Sequence, residues 1–307
     1  MNKLTILVGP PGSGKSTFAK TMEANGYLRI SQDDQGKDGH MELFESHVVT
    51  GRDIVIDRMN FDKKQRDRYR LEAIKNGYTV NFVEFVTPRQ VCFDRCMKRE
   101  DHPTIHGIYI MEGEGTGVAE DNDRKVQVTN SALNTFFKLY EEVTAEEGEL
   151  LRIQYNNGDN ERTSIMVDLD GTLANLDHRL HYVKGEGKKN WHKFFKECIY
   201  DLVYEDVKGI LEMEFEAGTD VVLCSGRPED YRKETEEWLA MNKIPYTTLK
   251  MRPAGNYKSD DITKAMLYRY EIKPFYRVKY VLDDRTQVVN KWREIGLNCM
   301  QVRPGDF

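Results

Sequence analysis

No uninterrupted apolar stretch in the 307-residue sequence approaches the ~20 residues that a membrane-spanning helix needs, so no membrane span is expected. A disulfide framework is missing too. The five cysteines (Cys92, Cys96, Cys198, Cys224, Cys299) are odd in number and widely scattered. Cys92 and Cys96 stand i,i+4, but no further Cys or His follows nearby at metal-ligand spacing, so a reduced, cytoplasmic protein with ordinary thiols is expected. Positive charge is also short: 45 Lys and Arg stand against 51 Asp and Glu, a net charge of −6. That excludes an extended basic coat around nucleic acid, which usually carries a pI above ~9. It leaves room for a small basic pocket that grips one strand end. Neither internal repeats nor low-complexity tracts occur, and the length fits two domains at ~150 residues each.

Short β-branched runs do occur, separated by amphipathic helical patterns. They are Leu4–Val8, Ile54–Asp57, Val80–Phe85, Leu151–Gln154, Ile165–Asp168, Val221–Cys224 and Val278–Leu282. The first is too short for a secretory signal core and reads as a buried strand ending in Gly9. This alternation predicts an α/β fold of two domains, each a mainly parallel sheet flanked by helices. The turn-rich segment between Gln154 and Ser164 places the boundary, giving domains over 1–156 and 163–307. A glycine-rich, acidic stretch over 111–123 reads as a loop, either a lid or disordered.

Gly9-Pro-Pro-Gly12-Ser13-Gly14-Lys15-Ser16 fits G-x-x-x-x-G-K-[ST] between a predicted strand and a predicted helix. Its backbone N–H groups and the helix N-terminus suit a nucleotide phosphate, with Gly9, Gly12, Ser13, Gly14, Lys15, Ser16 and Thr17 as the binding segment. Lys15 should reach the β/γ-phosphates and Ser16 should bind Mg²⁺. A kinase also needs a base and extra positive charge. Asp33 follows the short strand around Leu28–Ile30 and is placed for general-base work, Asp57 is Walker-B-like, and Arg95 and Arg99 share a helical face as a cationic lid. Lys63, Lys64, Arg66, Arg68 and Arg70 read as an exposed helix face.

In the second half an apolar strand ends in Asp168-Leu-Asp170-Gly-Thr172, so two carboxylates converge, which argues for bound Mg²⁺. One can attack phosphorus while the other moves protons. A second strand ends in Ser225-Gly226-Arg227, which could hold phosphate oxygens, and Lys258 follows. A third ends in Asp283-Asp284, acids that can complete the metal site with Asp168 and Asp170.

In this order the motifs resemble those of the haloacid-dehalogenase (HAD) phosphatase superfamily. Behind a P-loop kinase, the chain resembles the bacteriophage polynucleotide kinase/3′-phosphatase family over nearly its whole length. Its most specific stretches are the phosphate loop, Asp168–Ala174, Leu282–Val289 and Gly305-Asp306-Phe307. The resemblance implies Asp168 as nucleophile, Asp170 as acid/base, Ser225 and Lys258 as phosphate ligands, and Asp283 or Asp284 as the metal acid. It adds Arg179 and Arg227 as phosphatase-site arginines, and Asp33 and Arg99 as kinase base and lid arginine. Also implied are a P-loop kinase fold, then a HAD-like fold with a small cap over Asn175–Glu205, whose Trp191, Phe194 and Phe195 read as cap core. The expected function is bifunctional end healing: ATP or another NTP phosphorylates 5′-hydroxyl ends, and a Mg²⁺-dependent phosphatase removes 3′-phosphate or 2′,3′-cyclic phosphate. RNA or DNA ends, a downstream ligase and a homo-oligomer are the implied partners, with a host cytoplasm as the location if the gene is a phage's.

Two departures touch the acceptor side. Ser31-Gln32 stands where that family has Asn-Arg, and Asp57-Arg58-Met59-Asn60 where it has Asp-x-Thr-Asn. The rival readings are a small-molecule kinase fused to a metabolite phosphatase, a nucleotide-gated binding switch, and a chain with one half degenerated to a scaffold.

Overall fold

The computed structural model describes residues 2–99, 118–158, 162–185 and 187–305, with backbone alone at 118–122. The chain divides into two compact units, Met1–Tyr155 and Asn156–Phe307.

The first unit runs β1 (Lys3–Val8), α1 (Lys15–Ala24), β2 (Leu28–Ser31), α2 (Gln32–Val48), β3 (Ile54–Asp57), α3 (Lys63–Lys75), β4 (Thr79–Val86), α4 (Arg89–Met97), α5 (Val118–Leu139) and β5 (Glu149–Gln154). Its sheet has the order β2-β3-β1-β4-β5 with every neighbouring pair parallel. Leu4, Ile6, Leu7, Val8, Ile54, Val55 and Ile56 are fully buried, as expected of central strands covered by helices on both faces. Strands β2 and β3 lie to one side of β1 and β4 to the other, so the chain crosses the sheet there. The carboxyl end of β1, where the phosphate loop begins, therefore opens at a topological switch point.

Two expectations need correction. Residues 118–123 of the supposed loop open helix α5, while 111–117 lie outside the described residues. Arg66 is not on an exposed face. It is fully buried, its guanidinium forked onto Glu147 at 2.7 and 2.9 Å and also donating to the carbonyl oxygens of Asn60, Glu141 and Glu142. A basic run cannot reveal this, because Arg66 is buried only through partners up to 81 residues away.

The second unit runs β6 (Arg162–Val167), β7 (Ala174–Asn175), α6 (Trp191–Lys196), β8 (Leu202–Val203), α7 (Glu205–Glu216), β9 (Asp220–Pro228), α8 (Arg232–Met241), β10 (Thr248–Arg252), α9 (Asp260–Leu267), β11 (Tyr276–Asp283), α10 (Thr286–Glu294) and β12 (Cys299–Gln301). The sheet order is β10-β9-β6-β11-β12, again parallel throughout. Strand β6 is central, and its neighbours β9 and β11 end beside it. Strands β7 and β8 form a separate antiparallel pair that frames an insertion containing two 3₁₀ turns and α6. Ile165, Val167, Leu169, Val221, Leu223, Leu282 and Trp238 build the core beneath the ends of these strands. Edge strands β10 and β12 carry no apolar run: β10 alternates buried and half-buried residues, and β12 has three residues.

Candidate active sites

In the first unit the phosphate loop leaves β1 and enters α1 at Lys15. Gly12 adopts φ 81°, and a Cβ there would collide with the Cys92 carbonyl and approach the Cys96 sulfur of α4, so this position requires glycine. Lys15 is buried, and its Nζ donates to the Pro10 carbonyl at 2.8 Å. Burial lowers its pKa to about 8 against the attraction of Asp57, and the charges of Arg99 and Asp33 also act on it. The Ser16 hydroxyl donates to Asp57 at 3.3 Å, and Arg29 holds the other Asp57 oxygen at 2.7 Å. Arg29 also pairs with Asp34. Asp33 lies exposed in the first turn of α2, immediately after the end of β2. Thr17 is exposed on the first turn of α1. The structure thus brings Lys15, Ser16, Asp57, Asp33 and Arg99 to one end of one sheet.

Arg95 and Arg99 do not share a helix. Helix α4 ends at Met97, and Lys125 of α5 donates at 2.8 Å to the carbonyls of both Met97 and Arg99, which fixes the chain as it leaves the helix. Arg95 instead donates to the Gly12 carbonyl at 3.4 Å, beneath the loop. Asn60 takes a left-handed conformation (φ 46°) and donates to the Leu7 carbonyl at 2.8 Å, while Gly9 N–H donates to the Met59 carbonyl at 3.1 Å. The divergent Asp57–Asn60 segment is therefore stapled to the phosphate loop.

A titration behaviour follows from Lys15. A bound triphosphate favours the ammonium, so binding must supply the proton that Lys15 loses above about pH 8. Nucleoside triphosphate affinity is expected to weaken as pH rises from 8 towards 10, by at most about tenfold per unit. Calorimetric titration across that range checks this; an affinity constant with pH would contradict it.

In the second unit Asp168 follows β6, and its N–H donates to the Leu282 carbonyl of β11. Oxygens of Asp168, Asp283 and Asp284 all lie within 4.8 Å of one another, and all three residues are buried. Lys264 of α9 sits among them, its Nζ 2.8 Å from Asp168, 3.1 Å from Asp283 and 3.4 Å from Asp260. Burial is the largest cause that pushes the Asp168 carboxyl well above its ordinary range, Lys264 opposes it, and Asp283 and Asp284 add to it. Burial and then Asp283 raise Asp284 to about 7. One lysine does not offset this crowd of carboxylates. Hard oxygen donors at such spacing suit a small divalent cation such as Mg²⁺. Gly171 (φ 87°) lies under Asp284, where a Cβ would strike its carboxylate.

Asp170 is placed differently from the expectation that it joins the metal acids. Its carboxylate turns to Arg227 (2.7 Å) and Arg179, both fully buried. Both guanidiniums also reach Asp201, at 3.0 and 2.6 Å. Burial alone would raise Asp170, but Arg227 and Arg179 hold it well below the usual carboxylate range. Arg179 and Arg227, expected on substrate phosphate, are thus paired within the protein. Ser225 is buried, its hydroxyl accepting from Arg227 N–H at 3.2 Å, and Gly226 packs against Asp260. The lysine within the carboxylate cluster is Lys264, six residues beyond Lys258, which lines the adjoining cavity.

That cavity measures about 790 Å³ and is lined by Asp168, Asp170, Asp284, Lys258 and Arg285, with Trp191, Phe195 and Tyr231 among the remaining wall residues. Residues 162–307 match the family described as the polynucleotide kinase PNKP phosphatase domain. That match covers 146 of the 307 residues, all of them in the C-terminal unit. Residues 4–106 match a family described as an AAA domain.

Among curated relatives, transcription factor bHLH140 of Arabidopsis thaliana is 37% identical over 111 residues, covering 32% of this chain and 12% of its own. The candidate bifunctional polynucleotide kinase/RNA ligase of Autographa californica nuclear polyhedrosis virus is 23% identical over 327 residues (95% and 41%). The candidate bifunctional polynucleotide phosphatase/kinase of Acanthamoeba polyphaga mimivirus is 36% identical over 92 residues (29% and 22%). The chain therefore spans at most 41% of the length of these relatives.

Within the second unit, sequence reading missed Lys264, Asp260 and Asp201. A signal for Lys264 was present: it lies on the buried face of α9, between Thr263 and Ala265–Leu267. A lysine on such a face needs a carboxylate partner. Asp201 carried no comparable signal, because His178 and Arg179 of the insertion and Arg227 of β9 meet it only in the folded unit. Among the described residues, no helix is long and apolar enough to cross a membrane.

Proposed function

We propose that the chain heals nucleic-acid ends, phosphorylating 5′-hydroxyls with its first unit (residues 1–156) and removing 3′-phosphates with its second (163–307). One observation carries the reading: each parallel sheet gathers a different phosphoryl-transfer constellation at the carboxyl ends of its strands.

In the kinase site Gly9, Gly12, Ser13, Gly14 and Thr17 frame the triphosphate of ATP or another NTP, Lys15 and Arg99 offset its charge, and Asp33 takes the proton of the acceptor hydroxyl. Ser16 beside Asp57 would hold Mg²⁺. In the phosphatase site Asp168, Asp283 and Asp284 would hold Mg²⁺, which supplies positive charge for the phosphoryl oxygens. An Asp168 oxygen bonds to phosphorus as the bond to the 3′-oxygen breaks, and Asp170 delivers the proton that the leaving oxygen needs. Water then cleaves the aspartyl-phosphate, with Asp170 taking its proton. Arg227 and Arg179 hold Asp170 as the carboxylate, so the proton it delivers is one it first takes from solvent in the cavity that it lines. Ser225, Gly226, Lys258 and Lys264 complete the phosphate grip.

Products with 5′-phosphate and 3′-hydroxyl ends are what a ligase joins, and the viral relative whose name pairs kinase with RNA ligase supports such a downstream partner. The test supplies radiolabelled ATP to equal amounts of a 5′-hydroxyl oligonucleotide, nucleosides and sugars. Label is expected on the oligonucleotide, in RNA or DNA; label on a nucleoside or sugar alone would overturn the reading.

A further inference from the structure

The phosphatase cavity, at about 790 Å³, has room for much more than one phosphate group. Carboxylates occupy part of its wall. Elsewhere on it stands a run of aromatic rings from two elements, the insertion helix α6 and the turn before α8. Trp191 stacks on Phe195 with ring centres 5.8 Å apart and planes at 23°, and Phe195 meets Tyr231 at 5.3 Å and 35°. The three residues read from sequence as insertion core behave differently. All three line the cavity, but Phe194 is buried with its ring over the Arg179 guanidinium, whereas Trp191 is 48% exposed. An indole held flat against another ring and still 48% exposed retains unburied aromatic surface in the wall of the cavity that Asp168 also lines. Lys258 and Arg285 line the same cavity, so positive charge shares the space with the rings.

We propose that Trp191, Phe195 and Tyr231 form a stacking wall for the nucleobase of the 3′-terminal nucleotide while its 3′-phosphate lies at Asp168. This rests on the phosphatase reading above and adds to it a physical means of recognising a nucleotide rather than any phosphate monoester. Stacking on aromatic rings tolerates every base, since each base has a π-face, so the wall selects a nucleotide end without reading its sequence.

The test compares a 3′-phosphorylated oligonucleotide with the same strand whose terminal nucleotide is abasic, using the full chain. For wild type, kcat/KM is expected to favour the base-bearing strand. In Trp191→Ala that preference should fall by about 5- to 140-fold, the range that base–aromatic stacking supplies, and the change should appear in KM. Trp191→Phe, which keeps a ring, should retain most of the preference. A second readout uses wild type alone: Trp238 and Trp292 are buried, so quenching of indole fluorescence by the base-bearing strand, and not by the abasic one, reports on Trp191. Equal rates on both strands in wild type, or an equal loss on both in Trp191→Ala, overturns the stacking wall and leaves the phosphatase reading intact. Failure of wild type to release phosphate from either strand overturns the phosphatase reading, and the wall with it.

Discussion

Asp168→Ala is expected to lower 3′-phosphate release by at least about 10³-fold while 5′ phosphorylation proceeds as in wild type. The size of the effect follows from chemistry. On the proposed mechanism no covalent intermediate forms without the Asp168 carboxylate, and the set of Asp168, Asp283 and Asp284 proposed to hold Mg²⁺ loses a member. The fold should survive, because Lys264 keeps Asp283 at 3.1 Å and Asp260 at 3.4 Å as partners after Asp168 is gone. Removing Lys264 instead would strand several buried carboxylates, which makes Asp168 the cleaner probe. Phosphate release from a 3′-phosphorylated oligonucleotide, with a thermal melt of the same sample, checks both parts. Near-normal release would show that Asp168 does not carry the chemistry.

Asp33→Ala is expected to slow 5′ phosphorylation by about 10²- to 10⁴-fold, the span of general-base catalysis, with 3′ dephosphorylation unaffected. Asp33 is exposed at the start of α2, so its removal leaves no cavity in the core. Its charge reaches Lys15, so it lies at the same end of the sheet as the phosphate loop. Nucleotide affinity should change little, since Lys15 keeps its contact with the phosphate loop. Initial rates of label transfer at saturating ATP, with ATP binding measured separately, distinguish loss of a base from loss of the nucleotide site. A variant that binds ATP normally and transfers it at the wild-type rate would exclude Asp33.

Much of the fold was legible because buried parallel strands leave apolar runs that stand out from their surroundings. Leu4–Val8, Ile54–Asp57 and Val221–Cys224 all fall within observed strands. What escaped notice was amphipathic or short, as in edge strands β10 and β12. At the sites, residues attached to a strand end or a phosphate loop could be found, since such positions are read along the chain. Partnerships across the fold could not: Arg66 with Glu147, Lys264 with Asp168, and Asp201 with Arg179 and Arg227. The same distinction separates Lys258, read from the sequence as a phosphate ligand, from Lys264, which the turn of α9 carries among the carboxylates. The net charge of −6 is consistent with this picture. At least some of the acidic excess is spent in buried clusters at strand ends, and a site that handles one terminal phosphate needs only a few local cations.

The most direct measurement uses one oligonucleotide that carries both a 5′-hydroxyl and a 3′-phosphate, incubated with ATP and Mg²⁺ and resolved into its four end states. Wild type should convert it to 5′-phosphate, 3′-hydroxyl. Asp33→Ala should stop at 5′-hydroxyl, 3′-hydroxyl, and Asp168→Ala at 5′-phosphate, 3′-phosphate. Loss of both conversions in either folded variant, or of neither in both, would contradict two independent phosphoryl-transfer sites on this chain.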